Sequence, residues 1–201
     1  MSTICILFNL LLSYYSMVFP ITKAYTAAMR IFYALTFDEK TLDTICAIQD
    51  SIEVLLDKGR RTVRPNLHLT LSFLGEQDPL LLPLFKEVLD RLPGNPICLQ
   101  FTHLGHFDKA GGSIIWLGMK HNTDIQAIQE ILVKDLRRNG ISFSDTPFNA
   151  HVTLFRNARI AELPFLSAFR GNAQALHLMH SHQVHSVLTY TPLASNFLSE
   201  N

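Results

Sequence analysis

Two stretches of this chain share a tetrapeptide pattern, His68-Leu69-Thr70-Leu71 and His151-Val152-Thr153-Leu154. Each lies in a run of apolar and β-branched residues that reads as a strand. In a strand, residues i and i+2 point to the same side. His68 and Thr70 therefore share one face, with Leu67, Leu69 and Leu71 packing the other. His151 and Thr153 share a face in the same way, backed by Val152 and Leu154. With 9 His and 14 Thr in 201 residues, about 0.6 chance matches to His-x-Thr are expected, so one match decides nothing. Requiring Leu after the Thr lowers that to about 0.1, and two such matches stand out. His121-Asn122-Thr123 serves as a control: it fits the short pattern but sits in a polar turn before a helix.

Paired imidazoles suit acid–base chemistry, because their ordinary pKa lies near neutrality. Facing one phosphorus, a neutral His can take a proton from an attacking water while a protonated His gives one to the leaving oxygen. The Thr hydroxyls can donate hydrogen bonds to the non-bridging oxygens, where charge builds in the transition state. No acidic cluster of the kind that holds Mg²⁺ accompanies the pair, so neither a metal nor another cofactor is expected. The activity should follow a bell-shaped pH profile, one limb from each histidine.

These strands need a frame. Residues 30–36 read as a strand, and 38–57 repeat Leu42, Ile45, Ile48, Ile52, Leu55 and Leu56 at helical spacing, with Asp38 or Thr41 as the cap. Lys58-Gly59-Arg60-Arg61 then reads as a basic loop. A strand at 67–74 ends at Gly75, and a helix runs from Asp78 to about Leu92, before Pro93-Gly94-Asn95-Pro96. Strands at 97–105 and 113–119 follow, joined by a turn around Asp108–Gly112. Thr123 is the expected N-cap of a helix through Asn139. Strands at 151–155, 175–181 and 185–190 complete the chain. Short turns between strands favour an α+β arrangement of antiparallel sheets with outer helices over a doubly wound parallel sheet.

The 17 Lys+Arg balance 17 Asp+Glu, and 48% of the residues are hydrophobic. That excludes long-range disorder and a protein that coats long nucleic acid, though not a pocket for a single phosphate. Cys5, Cys46 and Cys98 form no C-x-x-C pair, so a disulfide framework or a cysteine zinc site is not indicated, and a reducing compartment is the default.

Residues 4–21 form the most apolar stretch. Three readings stay open: a signal or membrane anchor, an ordered extra segment, or translated sequence upstream of a natural start at Met29. No Lys or Arg precedes the stretch, and Asn9, Ser13, Ser16 and Pro20 interrupt it, which weakens the first reading. Residues 1–28 are taken as an extension and 29–201 as one domain.

The chain resembles the two-histidine phosphoesterases, and within them the RNA 2′,3′-cyclic phosphodiesterases, also called 2′-5′ RNA ligases. Asn66 to Glu76 carries the likeness most fully, with Pro147-Phe148 and His151 to Arg156 as its second part; Gly105-His106-Phe107, Ile114–Gly118 and Tyr190–Leu193 add to it. The likeness covers about residues 29–195. It implies a bilobal fold, two antiparallel sheets facing across a central cleft. It implies metal-independent hydrolysis of a terminal 2′,3′-cyclic phosphate on RNA to a 2′-phosphate, with reversible 2′-5′ ligation as a related reaction. By family usage His68 is the proton donor and His151 the proton acceptor, while Thr70, Thr153 and Arg156 hold the phosphate. The implied partner is an RNA 3′ end, a tRNA-derived one among the candidates. A cytoplasmic monomer without stable membrane association is expected. Asn149-Ala150 stands where family members often place Pro before the second His, which loosens that approach to the strand.

Other residues invite weaker readings. His177, His180, His182 and His185 crowd the tail without an acidic or Cys partner, so strand residues are favoured over a metal site. Lys58, Arg60, Arg61 and Arg64 either steer an RNA backbone or form a solvated loop. Phe32, Phe148, Phe155 and Trp116 read as core, with base stacking as the alternative for the three Phe. Two competing functions remain: a phosphodiesterase for small cyclic nucleotides or 2′-5′ oligonucleotides, and a non-catalytic RNA-end binding module.

Overall fold

The computed structural model describes residues 27–199; the apolar stretch at 4–21 lies outside them. The order is β1 (Met29–Phe37), α1 (Glu39–Glu53), β2 (Leu56–Arg61), β3 (Leu69–Gln77), α2 (Leu82–Asp90), β4 (Cys98–Phe107), β5 (Ser113–Met119), α3 (Thr123–Arg138), β6 (His151–Ile160), β7 (Phe169–Val184) and β8 (Val187–Phe197). Every strand pairing among the described residues is antiparallel. This is the α+β arrangement expected from the short strand connections.

The hydrogen-bond path runs β1-β3-β6-β5-β4-β7-β8, and β1 also pairs with β7, so the path returns to its start. One half of the ring is β8-β7-β1-β3 and the other is β4-β5-β6 with β2 on the β6 edge. β7 serves both: Phe169–Asn172 pair with β4, and Ala173–His180 pair with β1. At the opposite junction the halves touch at one register pair, Leu69 with Val152. Both residues are fully buried.

The helices cover the ring with apolar stripes. α1 buries Ile45 and Ile52, and α3 buries Ile125, Ile128, Leu132 and Leu136, the spacing of one helical face. Gln49 of α1 is fully buried, and its amide donates to the carbonyls of Thr62 and Leu154, 2.9 Å each. Those bonds tie α1 to β6 and to the chain leaving β2.

Four local expectations need correction. Leu56–Arg61 is a strand on the sheet edge, not a loop; four of its six residues are exposed, so no alternation marks it, and charged residues are what edge strands carry. Asn122, not Thr123, caps α3, accepting from Asp124 N and Ile125 N. The helix predicted from Asp78 is split into a 3₁₀ turn at Pro79–Leu81 and α2. The tail strands are longer than predicted and turn at His185-Ser186, both at positive φ. Asp38 does cap α1, accepting from Thr41 N at 2.8 Å.

Candidate active site

The register between the two motif strands fixes the site. Leu69 lies opposite Val152, so extending an antiparallel ladder sets His68 opposite Thr153 and Thr70 opposite His151. Leu69 and Val152 point into the core, hence all four polar side chains face the cleft. The two motifs are thus related by a local two-fold through the junction.

Each histidine is held in the same way. His68 Nδ1 lies 2.7 Å from Asn66 O, and His151 Nδ1 lies 2.7 Å from Asn149 O. A carbonyl only accepts, so Nδ1 carries the hydrogen in both rings and Nε2 is left to exchange a proton. Loss of the usual Pro before the second motif does not disturb this bond, because a backbone carbonyl makes it. His68 Nε2 also contacts Thr70 Oγ1 at 3.0 Å. Aromatic rings set the planes: Phe32 and Tyr190 pack on His68 at 5.1 Å, and Phe107 and Trp116 on His151 at 5.2 and 5.8 Å. Asn66 locks the first arrangement. It is buried, donates to Leu188 O at 2.8 Å and accepts from Tyr190 N at 3.3 Å.

Arg156 joins this face through a bulge. Trp116 pairs with Thr153 and Ile115 with Phe155, so Leu154 is an extra residue in β6. Strict alternation would aim Phe155 at the cleft and Arg156 at the core. Instead Leu154 and Phe155 are both fully buried, and Arg156 is half-buried and turned outward. Its charge reaches both histidines. Burial pushes His68 down from 6.5 to about 4, with Arg156 and His151 adding to the effect and the Asn66 bond opposing it. Burial also lowers His151, with Arg156 adding and the Asn149 bond opposing.

Two cavities flank the pair. One, of about 580 Å³, is lined by Thr70, Ser72, Phe107, Phe148 and His151 among others. The second, of about 230 Å³, is bounded by Arg60, Asn66, Arg156 and the β7–β8 turn.

The structure thus brings His68, Thr70, His151, Thr153 and Arg156 to one face. Among the basic residues, Arg61 turns back to Asp50 and Glu53 on α1, and Arg64 to Glu39 and Asp43. Phe155 is core, which removes it as a stacking residue. Phe32 is buried behind His68, whereas half-buried Phe148 lines a cavity. Trp116 is half-buried against His151 instead of lying deep in the core. His177 is buried between the hydroxyls of Thr36 and Ser195, and His180 stacks on His182 at 4.6 Å. No three His, Cys, Asp or Glu side chains among the described residues gather as a metal cluster. Asn66, Tyr190 and Phe107 are the supports that spacing alone did not single out, since Tyr190 and Phe107 come from other strands and Asn66 is fixed by Leu188 and Tyr190.

An antiparallel α+β ring with two H-x-T strands meeting at one junction is the architecture of a two-histidine phosphoesterase. Within that class, the chain belongs to the family described as the AKAP7 2′5′ RNA ligase-like domain, whose model matches residues 32–176. The RNA 2′,3′-cyclic phosphodiesterase of Archaeoglobus fulgidus is 29% identical over 133 residues, 65% of this chain and 74% of the relative. That of Methanocaldococcus jannaschii is 30% identical over 132 residues, 64% and 71% respectively. Escherichia coli LigT in apo form superposes with a TM-score of 0.72 at 23% identity, over 87% of this chain and 100% of that one. At that identity the likeness speaks for the fold alone.

Proposed function

We propose that this protein hydrolyses the terminal 2′,3′-cyclic phosphate of RNA to a 2′-phosphate. The observation that carries the reading is the matched pair of imidazoles, each with Nδ1 bonded to the carbonyl two residues before it and Nε2 turned to one cleft. The related proteins named RNA 2′,3′-cyclic phosphodiesterase support the substrate class. A LigT structure of the same fold is complexed with 3′-AMP.

Water attacks phosphorus in line with the 3′-oxygen. His151 Nε2 takes the water proton as the new P–O bond forms. The P–O3′ bond breaks, its electron pair passes to O3′, and His68 Nε2 supplies the proton that makes the 3′-hydroxyl. Thr70, Thr153 and Arg156 offset the charge on the non-bridging oxygens. Burial and Arg156 lower His68; the negative charge of the bound phosphate opposes both effects, so His68 takes up its proton from solvent as the phosphate binds. Replacing water by an RNA 5′-hydroxyl gives ligation by the same route. A cytoplasmic monomer acting on RNA 3′ ends, tRNA-derived ends included, completes the reading. No helix among the described residues is long and apolar enough to cross a membrane.

The test is incubation with a short RNA ending in a 2′,3′-cyclic phosphate, EDTA present, followed by mapping of the product phosphate. The expected product is a 2′-phosphate, with turnover reduced at least about 100-fold in His68→Ala and in His151→Ala. Unchanged turnover in folded variants removes the roles given to the histidines. Turnover confined to free cyclic nucleotides or 2′-5′ oligonucleotides moves the substrate.

A further inference from the structure

Arg60 of β2 lies directly opposite Arg156 of β6 in the sheet register. Residues directly opposite in an antiparallel pair point to the same side, and two like charges there repel. Two neighbouring arginines, Arg61 and Arg64, each bind two carboxylates on α1. Neither Arg60 nor Arg156 has an ion-pair partner among the described residues. Both line the 230 Å³ cavity, together with Asn66, whose carbonyl oxygen meets His68 Nδ1. Two exposed apolar residues, Val63 at 47% and Val187 at 57%, also line the cavity. A cavity with two uncompensated guanidinium groups and exposed apolar residues fits a phosphodiester with a nucleoside attached, since arginine pairs with phosphate through parallel N–H bonds.

Arg156 belongs to the catalytic face as well, where it lowers both histidines. An anion between Arg60 and Arg156 is therefore the immediate neighbour of the phosphate at the histidines, as successive phosphates are along one strand. We propose that Arg60 and Arg156 hold the phosphodiester directly 5′ of the terminal cyclic nucleotide, so that the protein selects an RNA end over a free cyclic nucleotide. This rests on the cyclic phosphodiesterase reading above and extends it to substrate length. The penultimate nucleoside then lies between Val63 and Val187, and the terminal base takes the larger cavity beside Phe107 and Phe148.

The test compares kcat/KM for adenosine 2′,3′-cyclic phosphate, for ApA ending in the same cyclic phosphate, and for that dinucleotide with a neutral methylphosphonate linkage. The wild-type protein should prefer the charged dinucleotide by about 10- to 100-fold, the range of a hydrogen bond to a charged group. Arg60→Gln should remove most of that preference and leave mononucleotide turnover unchanged. The methylphosphonate dinucleotide should behave like the mononucleotide and ignore Arg60→Gln. A preference that survives Arg60→Gln, or a variant that slows all three substrates equally, overturns the proposal. If the wild-type protein turns over none of them, the phosphodiesterase reading itself fails. Calorimetric binding of ApA 2′-phosphate against adenosine 2′-phosphate then decides: tighter, Arg60-dependent binding of the dinucleotide supports the site, and equal binding overturns it.

Discussion

The histidine proposed as proton donor is held in surroundings that resist charge. His68 is packed between Phe32 and Tyr190, with Arg156 and His151 nearby, and its pKa falls from 6.5 to about 4. The sign of the consequence for stability is definite. The unfolded chain binds a proton at this side chain near pH 6.5, while the folded chain resists it until about pH 4. The unfolded state thus holds more protons across that window, and stability falls as pH falls through it. The full shift corresponds to about 3 kcal/mol, of which about 2 kcal/mol is lost between pH 7.5 and 5. Urea unfolding at those two pH values should show a loss for the wild-type protein that is about 2 kcal/mol smaller for His68→Gln. Equal losses would mean that His68 titrates normally. The residues whose types were legible in sequence, His68, Thr70, His151 and Thr153, do share one face of the junction. Their environment was not legible, because Tyr190 and Phe107 reach them from other strands and Asn66 is locked by Leu188 and Tyr190 of β8.

Strand periodicity located both motifs but could not foresee where the period breaks. The bulge at Leu154 is the clearest case, since it swaps the faces of Phe155 and Arg156 and so brings the arginine to the cleft. β2 was hidden for a related reason: an edge strand of charged residues lacks the alternation that marks a half-buried one. Resemblance named Arg156 where pattern would have buried it. The β4–β5 hairpin supports His151 from behind through close contacts that only glycine allows. A Cβ at Gly105 would overlap the Trp116 ring, and that ring packs on Phe107 and His151. Gly105→Ala must therefore move the indole, with a stability cost of about 1–3 kcal/mol for overpacking. The element-scale expectation is a shift in Trp116 fluorescence and a loss of hydrolysis, with the fold retained by circular dichroism. Full activity in that variant would show that His151 does not need the indole behind it.

The closed path of strands predicts that the two halves of the molecule unfold as one thermodynamic object. β7 is hydrogen-bonded to β4 by its first residues and to β1 by the following ones, so neither half can lose its ladder without exposing the edge of the other. The apolar core is likewise shared: Leu178 and Leu35 of one half belong to the same buried cluster as Leu117 and Leu154 of the other. Trp116 is the one tryptophan of the chain and stands on β5, so its fluorescence reports the half that contains His151. Far-ultraviolet circular dichroism reports all strands and helices. Leu178 is fully buried on β7 in the stretch that pairs with β1, in the half that contains His68. Leu178→Ala should cost about 2–5 kcal/mol through lost contacts and the cavity left behind. If the ring couples the halves, the Trp116 transition and the circular dichroism transition shift down together and stay coincident, as a two-state domain requires. Independent lobes would give a different result: circular dichroism would split into two steps while Trp116 kept its original midpoint. Coincidence matters for the chemistry, because the two histidines come from opposite halves and meet at the Leu69–Val152 contact. A cleft assembled there keeps His68 and His151, the proposed donor and acceptor, in register only while both halves are folded.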